Sequence, residues 1–342
     1  MKVIFYSTKV FEIEPIRNAN KNGYKLSLFS DPLNMSTVEL ARGHDAVCVF
    51  TNDDVSAEVL NKLHLMGIKN LATRAVGYDN IDVEAAKKLN IIVANVPDYS
   101  PNAVAEHTIM MMLSLIKKNK ITEAQIQKQN FSLDNIIGSN VRGKTIGLIG
   151  TGKIGATMAK LLNGFDVKLL AYDLKVNNEL KQLYNVTYLD LESLCKQSDI
   201  ITIHLPLNAN TKYLIDDHLL SKMKYKAIII NTARGAIVNT ADLIKHLRSK
   251  QIGGYGMDVY EFERGIFFFN HENNPIKDKL LLELISLNNV LITPHQAFAT
   301  DEAIFNIANT TFHNLYCWEN NIHSENEINF STNEVKTQLA VL

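Results

Sequence analysis

An α/β protein built on two parallel sheets is predicted by three observations. Strand-like and helix-like patterns alternate along most of the chain. A glycine-rich strand–turn–helix run, Lys144 to Gly155, sits mid-chain with well over a hundred residues ahead of it. The 342 residues are 46% hydrophobic and 21% charged, which suits about two domains with sizeable cores. Because something else folds first in sequence, the unit that starts at this run reads as an insertion.

The elements follow in order. Val3–Tyr6, Lys25–Phe29, Ala46–Phe50 and Ile91–Ala94 are short apolar runs that read as strands, and Ser56–Leu65 and Val83–Leu89 read as helices. A break, Asn95–Asn102, ends this first unit. Pro101 then opens a long helix that runs to about Lys118, a first-turn position that proline tolerates, and this helix is the expected connector between domains. After the glycine-rich run, strands are predicted at 167–172, 200–204, 227–231, 253–257 and 290–293, and helices at 153–163, 190–196, 216–222 and 240–248. A last helix from Asp301 to about Trp318 returns to the first unit. The predicted domains are therefore 1–100 plus 300–342, and 101–299.

The glycine-rich run carries the first chemistry. Thr145–Ile149 is a strand, Gly150, Gly152 and Gly155 form Gly-x-Gly-x-x-Gly, and a helix follows. Asp173 closes the next strand about 20 residues on. That is a dinucleotide-binding fingerprint in its expected context. Gly150 permits the turn, Gly152 lets a pyrophosphate reach the backbone, and Gly155 allows close helix–sheet packing. The helix N-terminus offers unpaired N–H groups and partial positive charge to phosphate. The Asp173 carboxylate accepts from ribose hydroxyls and repels a 2′-phosphate, and no Arg follows directly, so NAD is expected rather than NADP.

Three further segments end strands, where a parallel sheet places its ligands. They are Ile228–Gly235, Gly256–Glu263 and Leu291–Phe298, and they bring Arg234, Glu263 and His295 to successive strand ends. Reducing a 2-keto acid requires a fixed cation for the carboxylate and a proton for the carbonyl oxygen. Arg234 has the planar fork that fits a carboxylate. His295 is the natural proton donor near neutrality. Glu263 would orient that imidazole and favour its charged form.

Bulk properties exclude other classes. A net charge of −1 gives no footprint for nucleic acid or membrane. Cys48, Cys195 and Cys317 are far apart and in no metal-like spacing, so reduced thiols and no metal site are expected. The N-terminus is already strand-like, without a secretory pattern, and no apolar run approaches membrane-spanning length. The expected location is cytoplasmic.

These residues resemble the D-isomer-specific 2-hydroxyacid dehydrogenases over nearly the whole chain. The resemblance is carried by Gly150–Gly155, Asn231–Gly235, Met257–Glu261 with Glu263, and Thr293–His295. Arg74–Asn80, Val96–Ala103, Asn130–Leu133 and the long loop Gly265–Asp278 make it most similar to the branch whose members reduce pyruvate to D-lactate. The implied fold is two Rossmann-like domains, a doubly wound NAD-binding domain inserted into a smaller flavodoxin-like substrate (catalytic) domain. The implied roles are Arg234 on the substrate carboxylate, His295 as general acid and base, and Glu263 as its partner. Val76, Gly77 and Tyr99 would also hold the carboxylate, and Phe50 and Phe298 would wall the substrate pocket. Asp258 would bond the nicotinamide carboxamide. Lys153, Ile154, Leu205, Pro206, Thr211, Thr232 and Ala233 would line the rest of the NAD site. A homodimer packed through the cofactor domains, sometimes a tetramer, is implied as well.

Relatives in this branch often carry Tyr where this chain has Phe50 and Ala299. These differences bear on the substrate side chain. A dehydrogenase preferring phenylpyruvate or 2-ketoisocaproate is the close alternative, and an NAD-sensing corepressor-like binding protein the remote one.

Overall fold

The structure, a computed structural model, describes residues 1–328, and the end of the expected 300–342 segment lies outside the described residues. The chain divides into two compact units, Met1–Ser100 with the described residues from Ala299 on, and Pro101–Phe298.

The first unit holds a five-stranded sheet of β1 (Lys2–Phe5), β2 (Lys25–Leu28), β3 (Ala46–Val49), β4 (Asn70–Thr73) and β5 (Ile92–Ala94). All pairings are parallel and the order is β2-β1-β3-β4-β5, the flavodoxin-like winding. Alternate residues serve opposite cores, as a period of two requires. Ile4, Val47, Val49, Leu71 and Val93 pack on one face. Val3, Phe5, Ala46, Cys48, Ala72 and Ala94 pack on the other, under Phe312, Leu315 and Trp318 of the helix Asp301–Glu319.

The second unit holds β6 (Thr145–Ile149), β7 (Lys168–Tyr172), β8 (Thr187–Tyr188), β9 (Ile200–Ile203), β10 (Ala227–Asn231), β11 (Ile252–Met257) and β12 (Val290–Ile292). They pair in parallel in the order β12-β11-β10-β9-β6-β7-β8. This is the doubly wound arrangement, with its switch point between β6 and β9. Both faces are covered, so the central strands β6, β9 and β10 are mostly apolar. Ile200 and Ile230 face one core, and Ile201 and Ile229 the other.

Local chemistry sets the helix starts. The side chains of Asp82, Asp190, Asp216, Asn239, Asp278 and Thr300 each accept from a backbone N–H of the first turn. Pro101 is the first residue of the long helix Pro101–Ile116, where its missing N–H costs nothing.

Several elements were not expected from the sequence. The helix Val10–Ala19 carries Pro15 in its interior, which breaks a local reading. The helix Asn119–Gln127 buries no residue, so no core packing marks it. β8 has two residues, and β4 is a short run flanked by polar residues. The helices Asn178–Tyr184 and Lys279–Ser286 are short and follow loops.

Candidate active site

The glycine turn lies at the switch point. Gly150 leaves β6 with φ of +97°, a conformation open to glycine. Its N–H reaches the Tyr172 carbonyl at 2.8 Å, and the neighbouring His204 N–H bonds the Ile149 carbonyl at 2.7 Å. A Cβ on Gly155 would sit 2.0 Å from the Gly150 carbonyl oxygen, so the helix Lys153–Leu162 starts directly against the turn, while Met158, Ala159 and Leu162 pack with Ile146, Leu148 and Leu169 of the sheet. At Gly152 a Cβ would meet nothing within 4 Å, so open space lies in front of this backbone. Gly152 and Lys153 are exposed and Ile154 is half-buried. The first-turn N–H groups of this helix and the open approach at Gly152 fit a pyrophosphate.

Asp173 follows β7. Its Oδ2 accepts from the Thr151 N–H at 2.6 Å and from the Thr151 hydroxyl at 3.1 Å, and its Oδ1 accepts from the Lys175 N–H at 3.0 Å. Burial opposes its charge, but these bonds outweigh it and hold the carboxyl below its ordinary value. A carboxylate has about four acceptor sites, so capacity remains for ribose hydroxyls. His204, after β9, is pushed down to about 3 by burial, and its Nε2 lies 3.0 Å from the Thr202 hydroxyl. A neutral imidazole therefore backs the glycine turn. Leu205 and Pro206 follow, and the Thr211 hydroxyl closes their loop on the Pro206 carbonyl at 2.7 Å.

The strand-end residues of β10, β11 and β12 form a second cluster. Asn231 organises the turn after β10. Its side chain accepts from the Ala233 N–H at 3.0 Å and donates to the Arg234 carbonyl at 2.9 Å. Arg234 is half-buried, with Nη1 on the Ala233 carbonyl at 2.8 Å. A Cβ on Gly235 would lie 2.1 Å from the Tyr260 carbonyl carbon, so this turn presses on the backbone after β11. The Thr232 hydroxyl lies 2.9 Å from that of Thr108, tying the strand end to the long helix.

Glu263 and His295 meet directly. Glu263 Oε1 is 2.7 Å from His295 Nδ1, and Oε2 accepts the Tyr260 N–H at 2.9 Å. His295 has φ of +55°, and its N–H bonds the Asp258 carbonyl at 2.7 Å. The carboxylate on Nδ1 places the ring proton there and turns Nε2 away from Glu263. Phe298 meets the imidazole edge-on with centroids 6.5 Å apart.

Asp258 is fully buried beneath this loop. Its carboxylate accepts from the Thr293 hydroxyl at 2.6 Å, the Gln296 N–H at 2.8 Å and the Ala297 N–H at 3.0 Å. With its hydroxyl proton on Asp258, Thr293 accepts from His107 Nε2 at 3.0 Å. Burial lowers the His107 pKa against the pull of Asp258. Asp258 thus clamps the His295 loop through Thr293 and His107, while Asn231 holds the Arg234 turn; none of these three was expected in such a role. Asn231 and Thr293 stand inside the strand-end segments, but nothing in the spacing of His107 signals its reach to the loop.

The remaining candidates belong to the first unit. Phe50 is buried, its N–H held by Asp53 and its carbonyl by Asn80 Nδ2 at 3.1 Å. The Val76 carbonyl accepts from Asn95 Nδ2 at 2.7 Å, and the Val76–Gly77 turn is partly exposed. The Tyr99 carbonyl accepts from Asn306 Nδ2 at 2.8 Å. Beside Val76, Arg74 is wholly buried, paired with Glu12 at 2.9 Å and lying 5.5 Å from the Phe50 ring centroid.

A dinucleotide turn at the switch point, with a carboxylate–imidazole pair and an arginine at nearby strand ends, defines a dinucleotide-dependent oxidoreductase. Comparison with known proteins gives the family. Residues 109–297 match the D-isomer specific 2-hydroxyacid dehydrogenase, NAD binding domain. The D-lactate dehydrogenase of Escherichia coli is 40% identical over 96% of this chain and 100% of its own. An aromatic 2-oxoacid reductase of Clostridium sporogenes is 40% identical over 93% of this chain and 96% of its own. The structure of D-lactate dehydrogenase from Aquifex aeolicus, complexed with NAD and lactic acid, matches with a TM-score of 0.88 at 31% identity. That match covers 97% of this chain and 100% of that one. The chain belongs to the D-isomer specific 2-hydroxyacid dehydrogenases, NAD-dependent oxidoreductases.

Proposed function

We propose that this enzyme reduces pyruvate to D-lactate, reversibly, with Arg234, Glu263 and His295 as its catalytic residues. The observation that carries the reading is the 2.7 Å contact between Glu263 Oε1 and His295 Nδ1 at the strand ends. NAD, held by Gly150, Gly152, Lys153, Ile154, Gly155, Asp173, Leu205, Pro206, Thr211, Thr232 and Ala233, supplies or accepts the hydride. Arg234 binds the substrate carboxylate through its planar fork and polarises the adjacent carbonyl. His295 Nε2 gives its proton to the keto oxygen in reduction and takes it back in oxidation. Glu263 holds Nδ1 and balances the imidazolium charge. The Val76 and Gly77 N–H groups and Tyr99 are assigned to the carboxylate, and Phe50 and Phe298 to the substrate side chain. The expected nicotinamide contact of Asp258 would have to share a carboxylate already holding the His295 loop.

Bulkier 2-keto acids are a second reading, supported by the aromatic 2-oxoacid reductase relative. NADH oxidation with pyruvate, phenylpyruvate and 2-ketoisocaproate, then NAD reduction with D- and L-lactate, tests both. Fastest turnover of pyruvate with only D-lactate oxidised supports the first reading, and preference for an aromatic or branched acid supports the second. NADH binding without turnover of any of them overturns both.

A homodimer is proposed through the second unit, in whose segment 126–137 Ile126, Phe131, Leu133 and Ile137 are all exposed. A monomer mass by light scattering at micromolar concentration would contradict it. A cytoplasmic location is proposed on the three free, buried cysteines among the described residues. No described helix is long and apolar enough to cross a membrane.

A further inference from the structure

The loop Gly265–Asp278 contains three consecutive aromatic residues, Phe267, Phe268 and Phe269. Their placements differ. Phe267 is buried and packs on Tyr260 at 6.4 Å between centroids. Phe269 is exposed and meets His271. Phe268 lies against the catalytic imidazole, with centroids 5.6 Å apart and a tilt of 38°.

The backbone makes an unusual effort to put it there. Phe268 has φ of +69°, where a bulky L-residue is a genuine outlier. The Glu263 carbonyl accepts both the Ile266 and the Phe267 N–H at 2.9 Å, and His271 Nε2 bonds the Ile266 carbonyl at 2.8 Å. The residue whose carboxylate holds His295 Nδ1 therefore also starts the turn that aims Phe268. Strain of this kind persists where the surroundings over-determine it, often at functional sites.

We propose that Phe268 is a positioning residue for His295, resting on the catalytic reading above. Its ring and that of Phe298 bracket the imidazole. Glu263 fixes one nitrogen but leaves the ring free to pivot about that bond. The two aromatic rings remove the pivot, so Nε2 keeps one direction, and Phe268 also shields the carboxylate–imidazole contact from water. Misplacing a reacting group by about 1 Å can cost on the order of 10² in rate.

The test compares Phe268→Leu, which keeps apolar bulk without a flat face, with Phe268→Tyr, which keeps the face. Turnover is normalised to bound NADH, so that any unfolded fraction drops out. The expected result for Phe268→Leu is a roughly 10-fold lower kcat with KM for pyruvate changed less than about twofold. The deuterium isotope effect from labelled NADH is expected to rise, because chemistry becomes more limiting. Phe268→Tyr is expected to recover most of kcat and the original isotope effect. Normalised kcat and isotope effect unchanged in Phe268→Leu, or no recovery with Tyr, would overturn the assignment. His295→Gln serves as the control. If it turns over normally, the catalytic reading itself fails and this inference with it. If it is inactive while Phe268→Leu is normal, only the positioning role fails.

Discussion

Glu263 acts on His295 directly through its side chain and, through the turn it starts, places Phe268 against the same ring. Oε1 sits 2.7 Å from Nδ1, while the Glu263 carbonyl anchors the turn that carries Phe268 to the same imidazole. Below them, buried Asp258 accepts three bonds from the loop of His295. The proton donor is thus held on its side, its face and its backbone.

Glu263→Gln keeps the shape of that contact and removes its charge. An amide cannot balance the imidazolium, so kcat for keto-acid reduction is expected to fall roughly 10- to 10²-fold, part of a general acid's contribution. NADH affinity, read by fluorescence, should stay within about twofold of wild type. Full activity in the variant would count against the pairing.

Gly155→Ala tests the cofactor turn. Its Cβ would meet the Gly150 carbonyl oxygen at 2.0 Å, a contact that backbone must move to relieve. NADH binding is expected to weaken at least about 10-fold, with thermal stability lowered as well. Calorimetric titration with NADH reads the first, and a wild-type Kd would show that the turn tolerates the shift.

Arg74 and Glu12 form a buried pair in the first unit, at 2.9 Å, with the guanidinium 5.5 Å from the ring centroids of both Phe5 and Phe50. Arg74→Met removes the guanidinium from the buried Glu12 carboxylate, an expected loss of about 3–5 kcal/mol by denaturant titration. Adding Glu12→Gln should recover much of it. Equal losses in the single and double variants would show that the charge pairing is not the source.

His204 ties stability to pH. Burial holds its pKa at about 3, below the ordinary value near 6.5. Between those values the unfolded chain binds a proton that the folded one does not, so stability falls as pH drops through this window. Its slope contribution reaches at most about 1.4 kcal/mol per pH unit. His204→Gln should show a shallower slope of stability between pH 6 and 4 than wild type (roughly the interval between the two pKa values). Identical slopes would mean that the folded imidazole already takes up its proton in that range.

What was legible in the sequence was local. Gly150, Gly152, Gly155 and Asp173 stand at fixed spacing because one turn and one strand connect them. Arg234, Glu263 and His295 could be placed at successive strand ends because apolar runs mark the strands. The clamp of Asp258, Thr293 and His107 joins residues up to 186 apart in sequence, and no local pattern encodes it. Arg74 stands inside the motif Arg74–Asn80, but its partner Glu12 lies on a helix whose interior Pro15 hides it from a local reading. Phe268 was one of three like residues, and only the fold separates the core-filling ring from the one on His295.

The most direct test of the central claim is single-turnover oxidation of bound NADH by pyruvate in wild type and His295→Gln. The predicted result is a loss of about 10²–10⁴ in the rate of that turnover, with NADH binding intact. A variant that oxidises NADH at the wild-type rate would contradict the account, because the proton would then come from elsewhere.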